Sequence, residues 1–178
     1  ILTVTRHMLK KLNLFFIILI LGLQSCGSWK NNGFYTIYLV RHSEKVVSAS
    51  MYGSDPPLTP CGKKRSESLS NFLKDVPLEV IYSTDYTRTK NTALPTAQLK
   101  GLDIQQYDGE ALEEFSKLLL RRKQDALVVG HSNTTGVLAG LLTGQEIGEF
   151  DLDIYDRIYQ VSLRKRRGRL HILHTAFE

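Results

Sequence analysis

Two short apolar runs constrain the fold of this chain more than any other feature of its sequence. Residues 34–40 (FYTIYLV) and 125–130 (DALVVG) are rich in β-branched and aromatic residues and have few polar interruptions. A run of this length and composition is typical of a strand that is buried on both faces. Strands of this kind occur mainly in parallel sheets with a layer of helices on each side.

Segments with helical periodicity alternate with strand-like segments along the rest of the chain. One predicted helix opens at Thr59 and Pro60, another spans residues 86–98 with Pro95 expected to bend or break it, and a third is closed by Gly144. The remaining predicted elements are a helix around Leu112–Leu119, strands at 79–82 and 103–107, and a terminal strand pair at 159–163 and 170–173. This order predicts an α/β three-layer sandwich, with a mainly parallel sheet flanked by helices and a C-terminal antiparallel hairpin.

The N-terminal residues have the pattern of an export signal. Lys10 and Lys11 precede an apolar run at residues 14–23, which at about ten residues is too short for a membrane span of about twenty. The segment Leu23–Cys26 resembles a bacterial lipobox, which implies that Cys26 is acylated. A plain cleaved signal or an uncleaved anchor would have a similar composition, and both remain alternatives.

These features divide the chain into three predicted parts. Residues 1–25 are upstream residues and a signal peptide, with Met8 as the expected start. Residues 26–33 are the lipidated cysteine and a tether, and residues 34–178 form a single domain. We expect an exported protein anchored by its lipid to a bacterial membrane, and the absence of Asp after Cys26 favours the outer membrane.

The densest cluster of charge lies near the C-terminus. Five bases occur in residues 164–169 (RKRRGR), between the two terminal strand-like segments. Because Gly168 interrupts the run there, we expect a solvated hairpin tip rather than a binding surface. Without the three bases of residues 1–25, 20 bases face 18 acids, so the sequence predicts no nucleic-acid partner.

Basic and polar residues follow three of the predicted strands. Arg41 and His42 come after the first apolar run, His131 comes after the second, and Arg88 follows the polar segment Tyr82–Asp85. Since parallel strands end at the same edge of a sheet, we expect two imidazoles and two guanidiniums in one pocket. Guanidinium groups bind phosphate oxygens, and an imidazole can accept a phosphoryl group covalently. The sequence shows no metal-ligand spacing, and we predict no cofactor.

Four segments in order resemble the histidine phosphatase superfamily, which includes phosphoglycerate mutase-like enzymes. The segments are LVRHSE at 39–44, LTPCGKKR at 58–65, YSTDYTRTKNTA at 82–93 and VVGHSN at 128–133. The resemblance implies that His42 is a nucleophile that becomes phosphohistidine, with Arg41, Arg88 and His131 holding the phosphoryl oxygens. It also implies that a backbone carbonyl holds the other ring N–H of the nucleophile. Ser43 departs from the glycine that usually follows the family's Arg-His pair.

The general acid has two candidates. Asp108 and Glu110 follow the third predicted strand and would reach the same edge of the sheet. Each could equally be a solvated loop residue or a helix cap. Position 132 is Ser, so the chain lacks the His-Asp pair of the phytase-like branch.

The sequence predicts a metal-independent phosphomonoester hydrolase that acts on a phosphorylated small molecule or a phosphoprotein. The only loops available as lids are residues 43–57 and 101–110, which favours hydrolysis in an open site. Two alternatives are a non-catalytic lipid-anchored protein that binds a phosphorylated ligand and a phosphotransferase of the phosphoglycerate mutase type.

Overall fold

A computed structural model describes residues 33–47, 52–147, 153–165 and 167–175. The chain divides into two compact units, Ile1–Asn32 and Gly33–Glu178, and every described residue belongs to the second. The predicted start at Met8, the signal and the acylated Cys26 therefore lie outside the described residues. Within the described ranges, no helix is both long enough and apolar enough to cross a membrane.

The second unit is a six-stranded sheet with helices between the first strands. In the order of the chain, the elements are β1 (Phe34–Arg41), α1 (Pro60–Phe72), β2 (Val80–Ser83), α2 (Thr87–Lys100), β3 (Ile104–Gln106), α3 (Leu112–Arg122), β4 (Ala126–Gly130), α4 (Ser132–Thr143), β5 (Arg157–Arg164) and β6 (Arg167–His174). The strand order is β3-β2-β4-β1-β5-β6. The first four are parallel, and β5 and β6 are antiparallel, which confirms the predicted α/β fold.

The central strands bury alternate residues on opposite faces of the sheet. Ile37 and Leu39 of β1 belong to one apolar cluster with residues of α3 and α4. Their neighbours Tyr38 and Val40 belong to a second cluster with residues of α1 and α2. Because side chains alternate along a strand, both faces are apolar only when every position is apolar. This explains why the runs at 34–40 and 126–130 contain so few polar residues.

The predicted helix boundaries hold at two of the three positions tested. The Thr59 side chain accepts a hydrogen bond from Gly62 N at 3.0 Å, and Pro60 is the first residue of α1. Helix α4 ends at Gly144, which has φ of +70°. Of the two effects expected at Pro95, a bend or a break, the break is wrong, because α2 continues through Pro95 to Lys100. The buried residues on either side of Pro95, among them Ala93 and Ala97, pack on the sheet, and this packing offsets the missing backbone hydrogen bond.

The C-terminal hairpin corrects the predicted place of one glycine. Strands β5 and β6 pair from Arg157–His174 to Arg164–Arg167, so Gly168 lies inside β6 opposite Leu163 and not at the tip. The turn contains Lys165, whose φ is +57°. A side chain at Gly168 would place its Cβ 2.8 Å from the Leu142 carbonyl oxygen. Close packing against the end of α4, rather than turn geometry, therefore requires glycine at this position.

Candidate active site

The carboxyl ends of β1, β2 and β4 meet at one edge of the sheet, as the sequence predicts for parallel strands. This edge opens into a cavity of about 780 Å³. Its lining includes all six predicted site residues, which are Arg41, His42, Arg88, His131, Asp108 and Glu110. The structure thus brings together side chains that are up to 90 positions apart in sequence, from Arg41 to His131.

His42 is held as a neutral imidazole with a defined orientation. Its side chain is 3% exposed, and its backbone N–H donates to the Gly130 carbonyl at 2.9 Å. Its ring Nδ1 lies 2.8 Å from the carbonyl oxygen of Ser43. Because a carbonyl only accepts, Nδ1 carries the hydrogen and Nε2 keeps a free lone pair. Burial, together with the nearby Arg41 charge, lowers the pKa of His42 to about 3.

Arg41 is buried beside His42 and contacts the segment that precedes β5. Its guanidinium lies over the ring of Tyr155, with Cζ 4.1 Å from the ring centroid. Its Nη1 donates to the Ile154 carbonyl at 3.2 Å, and its Nη2 lies 3.4 Å from Tyr155 Oη. Burial lowers the pKa of Arg41. The contacts therefore hold the guanidinium in place at the wall of the cavity.

Arg88 lies at the start of α2 and contacts both an aromatic ring and a carboxylate. Its Cζ is 4.2 Å from the ring centroid of Tyr86, and its Nη1 is 3.4 Å from Asp55 Oδ1. The Asp55 carboxylate also accepts from the backbone N–H of Thr87 at 2.9 Å and from its hydroxyl at 2.7 Å. Burial opposes ionisation of Asp55, but these hydrogen bonds and the Arg88 charge lower its pKa. Asp55 thus fixes the first residues of α2, and Arg88 with them.

His131 lies next to His42 in the lining of the cavity. The two ring centroids are 5.5 Å apart in an edge-to-face arrangement. His131 Nε2 lies 2.9 Å from the hydroxyl of Thr84, and Thr84 in turn donates to Thr89 at 3.1 Å. With its hydrogen directed at Thr89, the Thr84 oxygen accepts from an N–H on His131 Nε2. Burial and the charges of Arg88 and Arg41 lower the pKa of His131 to about 4.

The two candidate acids also line the cavity. Asp108 and Glu110 are both exposed. Asp108 Oδ1 accepts from the backbone N–H of Glu110 at 2.9 Å, so this carboxylate also stabilises the turn before α3. Both alternatives, an acid and a local cap, are compatible with these contacts. The choice of the general acid stays a prediction.

Among the described residues, Thr84, Tyr86, Asp55 and Tyr155 contact the side chains of the predicted residues and were not identified from the sequence. Thr84 and Tyr86 lie inside the segment 82–93, so their place after a strand end is a signal that could have found them. Asp55 is in a loop, and Tyr155 is 114 positions from the arginine that it contacts. No local pattern marks these two, since only the folded chain brings them to the site.

Comparison with known proteins agrees with the resemblance seen in the sequence. The model of the histidine phosphatase superfamily (branch 1) matches residues 37–116. The curated protein "Probable phosphoglycerate mutase GpmB" of Escherichia coli (strain K12 / DH10B) is 32% identical over 127 residues, which cover 68% of this chain and 59% of the relative. The chain thus spans about three fifths of the length of the curated relatives it matches.

Solved structures share the fold. The protein histidine phosphatase SixA complexed with tungstate has a TM-score of 0.66 and 20% identity, and the match covers 78% of this chain and 96% of that one. The alpha-ribazole phosphatase from Shigella flexneri has a TM-score of 0.65 and 15% identity over 79% and 96% of the two chains. At these identities the likeness is one of fold.

Proposed function

Because a family model and curated relatives support membership of the histidine phosphatase superfamily, we propose that this protein is a phosphomonoester hydrolase that forms a phosphohistidine on His42. One observation carries the proposal. A neutral imidazole with a free Nε2 lone pair shares a cavity with His131 and two guanidiniums, Arg41 and Arg88. A nucleophile next to preorganised positive donors is what phosphoryl transfer requires.

The reaction would proceed in two displacements at phosphorus. In the first, His42 Nε2 forms a P–N bond while the P–O bond to the leaving group breaks, and an acid protonates the leaving oxygen. In the second, water attacks phosphorus, and the P–N bond breaks to release phosphate and neutral His42. Arg41 and Arg88 would neutralise the phosphoryl oxygens in both steps.

His131 would act as a donor to a phosphoryl oxygen. In the free site its Nε2 hydrogen is directed at Thr84. A phosphoryl oxygen would replace the Thr84 hydroxyl as the acceptor, and its negative charge would raise the pKa of His131 from about 4. The imidazole would then carry more positive charge when substrate is bound than when the site is free.

Asp108 or Glu110 would supply the proton for the leaving oxygen. Replacing the acid by its amide, as Asp108→Asn or Glu110→Gln, should lower turnover of an alkyl phosphate by about 10²-fold or more. The same variant should retain most activity on p-nitrophenyl phosphate, whose leaving group needs little protonation. Equal losses on both substrates would exclude that residue as the acid.

Two substrate classes are compatible with the site, a phosphorylated small molecule and a phosphoprotein. Structures of the same fold include an alpha-ribazole phosphatase and a protein histidine phosphatase. The second candidate function is phosphoglycerate mutase activity, which is favoured by the name of the curated relatives. Interconversion of 3- and 2-phosphoglycerate without phosphate release would support the mutase and oppose the hydrolase.

We also propose that the protein is exported and acylated at Cys26, as the lipobox-like segment indicates. The domain would then act at a bacterial membrane. Mass spectrometry of the protein purified from its membrane should show a lipidated N-terminal Cys26. An unmodified Cys26 on the mature chain would refute this assignment.

The first experiment is hydrolysis of p-nitrophenyl phosphate by the full chain, with and without EDTA. The His42→Ala variant should lose activity by about 10⁴-fold or more, whereas His171→Ala on the exposed face of the hairpin should keep it. An acid-labile phosphoryl group should be trapped on wild-type His42. If the wild-type protein binds inorganic phosphate but releases none from any phosphomonoester tested, the non-catalytic binding protein replaces the hydrolase.

A further inference from the structure

The two phosphate-binding arginines have the same kind of neighbour. Arg41 lies over the ring of Tyr155, and Arg88 lies over the ring of Tyr86, with Cζ-to-centroid distances of 4.1 and 4.2 Å. Each tyrosine also contacts an active-site histidine. The Tyr155 and His42 ring centroids are 6.3 Å apart, and those of Tyr86 and His131 are 5.1 Å apart.

An aromatic ring holds an arginine differently from a carboxylate. A carboxylate binds the N–H groups at the edge of the guanidinium and cancels its charge, whereas a ring interacts with the cation and leaves those donors available. A phosphate site needs both the donors and the charge. The ring faces next to Arg41 and Arg88 restrict the guanidiniums through cation–π contacts, which take up none of the N–H donors. The hydrogen bonds of these guanidiniums go to Asp55, to backbone carbonyls and to the Tyr155 hydroxyl.

We propose that Tyr155 and Tyr86 are positioning residues, each of which orients one guanidinium for the phosphoryl group. The inference rests on the proposed function, because it assigns Arg41 and Arg88 to phosphate. Neither tyrosine takes part in bond making or breaking.

We expect the loss of Tyr155 to weaken phosphate binding more than the loss of Tyr86. The Arg41 guanidinium lies over the Tyr155 ring, contacts the Tyr155 hydroxyl and donates a hydrogen bond to the carbonyl of the neighbouring Ile154. Arg88 is also held by Asp55 and by the Ser54 carbonyl. Tyr86 is 39% exposed, so water screens its interaction more strongly. The Tyr155 ring is less exposed than the Tyr86 ring, so its cation–π contact is screened less and its loss should have the larger effect.

The test measures binding of inorganic phosphate by calorimetry, which needs no turnover, alongside kcat/KM for p-nitrophenyl phosphate, both on the full chain. Tyr155→Leu should weaken phosphate binding about tenfold, and Tyr86→Leu about threefold. Tyr155→Phe keeps the ring and should stay within about threefold of wild type, and Tyr155→Trp should do the same. Circular dichroism checks the fold, and Tyr155→Met is the substitute if Tyr155→Leu does not fold.

A matched control exists at the other end of the molecule. The Arg164 guanidinium lies over the ring of Phe34, with Cζ 4.6 Å from the ring centroid, far along β1 from the cavity. Phe34→Leu removes the same type of contact from an exposed arginine. It should leave phosphate binding and kcat/KM unchanged.

A double-mutant cycle shows whether Tyr155 acts through Arg41. In the Arg41→Ala background, Tyr155→Leu should have no further effect on phosphate binding, because the guanidinium that it orients is absent. Additive losses, or equal affinities for the Leu and Phe variants and wild type, would overturn the inference. If phosphate binding follows the expected series but His42→Ala retains full turnover, the proposed hydrolase mechanism fails while the positioning role stands.

Discussion

The cavity end and the hairpin end of the domain both place an arginine over an aromatic ring, but they bury it very differently. At the cavity, Arg41 is 6% exposed, and the Arg88 side chain is 12% exposed. At the hairpin, Arg164 is exposed, and its partner Phe34 is 50% exposed. Five basic residues follow one another closely in the hairpin sequence at positions 164–169, whereas Arg41 and Arg88 at the cavity come from separate segments of the chain.

The difference shows that burial, rather than the number of charges, distinguishes the arginines at the cavity from those at the hairpin. Removing a cation from water is unfavourable, and a folded protein retains such a cation where other groups compensate for it. At the cavity the compensation comes from rings, carbonyls and Asp55, and an incoming phosphate would add to it. At the hairpin the described bases Arg164, Lys165, Arg167 and Arg169 are exposed, so water solvates their charges.

Removing one arginine from each end should give the largest contrast. Arg41→Ala or Arg88→Ala should lower kcat/KM for p-nitrophenyl phosphate by about 10²–10³-fold, because a buried donor to the phosphoryl group is lost. Arg164→Ala, which also removes an arginine from an aromatic ring, should change it by less than about twofold. Comparable losses at both ends would mean that net charge steers the substrate, and lower sensitivity to salt would then accompany each variant.

Two glycines, one at each end of the domain, allow the two ends to be compared by the free energy of unfolding. A Cβ at Gly130 would lie 2.5 Å from Tyr107 Oη, and a Cβ at Gly168 would lie 2.8 Å from the Leu142 carbonyl. Gly130→Ala and Gly168→Ala should each lower the free energy of unfolding by about 1–3 kcal/mol, measured by urea denaturation.

Only the variant at the cavity should also lose activity per folded molecule. Gly130→Ala displaces Thr134, whose hydroxyl accepts from the backbone N–H of His131. Gly168→Ala disturbs the contacts of β6 with the end of α4 and with Leu163 of β5, and none of these residues lines the cavity. Full specific activity in Gly130→Ala would show that the position of His131 does not depend on this packing.

The last comparison concerns the dependence of stability on pH. His42 and His131 have pKa values of about 3 and 4 in the folded protein, below the usual value of about 6.5. As the pH falls below about 6.5, the unfolded chain binds protons that the folded chain does not, so the folded state loses stability. The loss should be on the order of 1 kcal/mol per pH unit for each histidine between pH 6 and 4.5.

Urea midpoints of wild type and His42→Gln across this pH range measure the effect. The variant should lose about half of the dependence, whereas His171→Gln at the hairpin should keep all of it. Parallel curves for wild type and His42→Gln would mean that His42 is not buried in a neutral form.

Most of the fold could be predicted because local signals and burial agree. The apolar runs of β1 and β4 must be covered on both faces, and the cap at Thr59 and the stop at Gly144 are set by local backbone geometry. The break expected at Pro95 and the turn position expected for Gly168 are wrong, because packing decides both. Pro95 lies in a helix held on the sheet, and Gly168 lies where a strand approaches the end of α4.

The order of the strands and helices, and with it the meeting of Arg41, His42, Arg88 and His131 at one edge, followed from the sequence alone. Parallel strands must end on the same side of a sheet, so residues that directly follow them are brought together by topology. The contacts and the burial of those four residues did not follow from the sequence. Tyr155 reaches Arg41 across 114 positions, and the neutral state of His42 depends on how deeply the folded chain buries it. Contacts and desolvation of this kind arise between distant segments, and only the tertiary structure sets them.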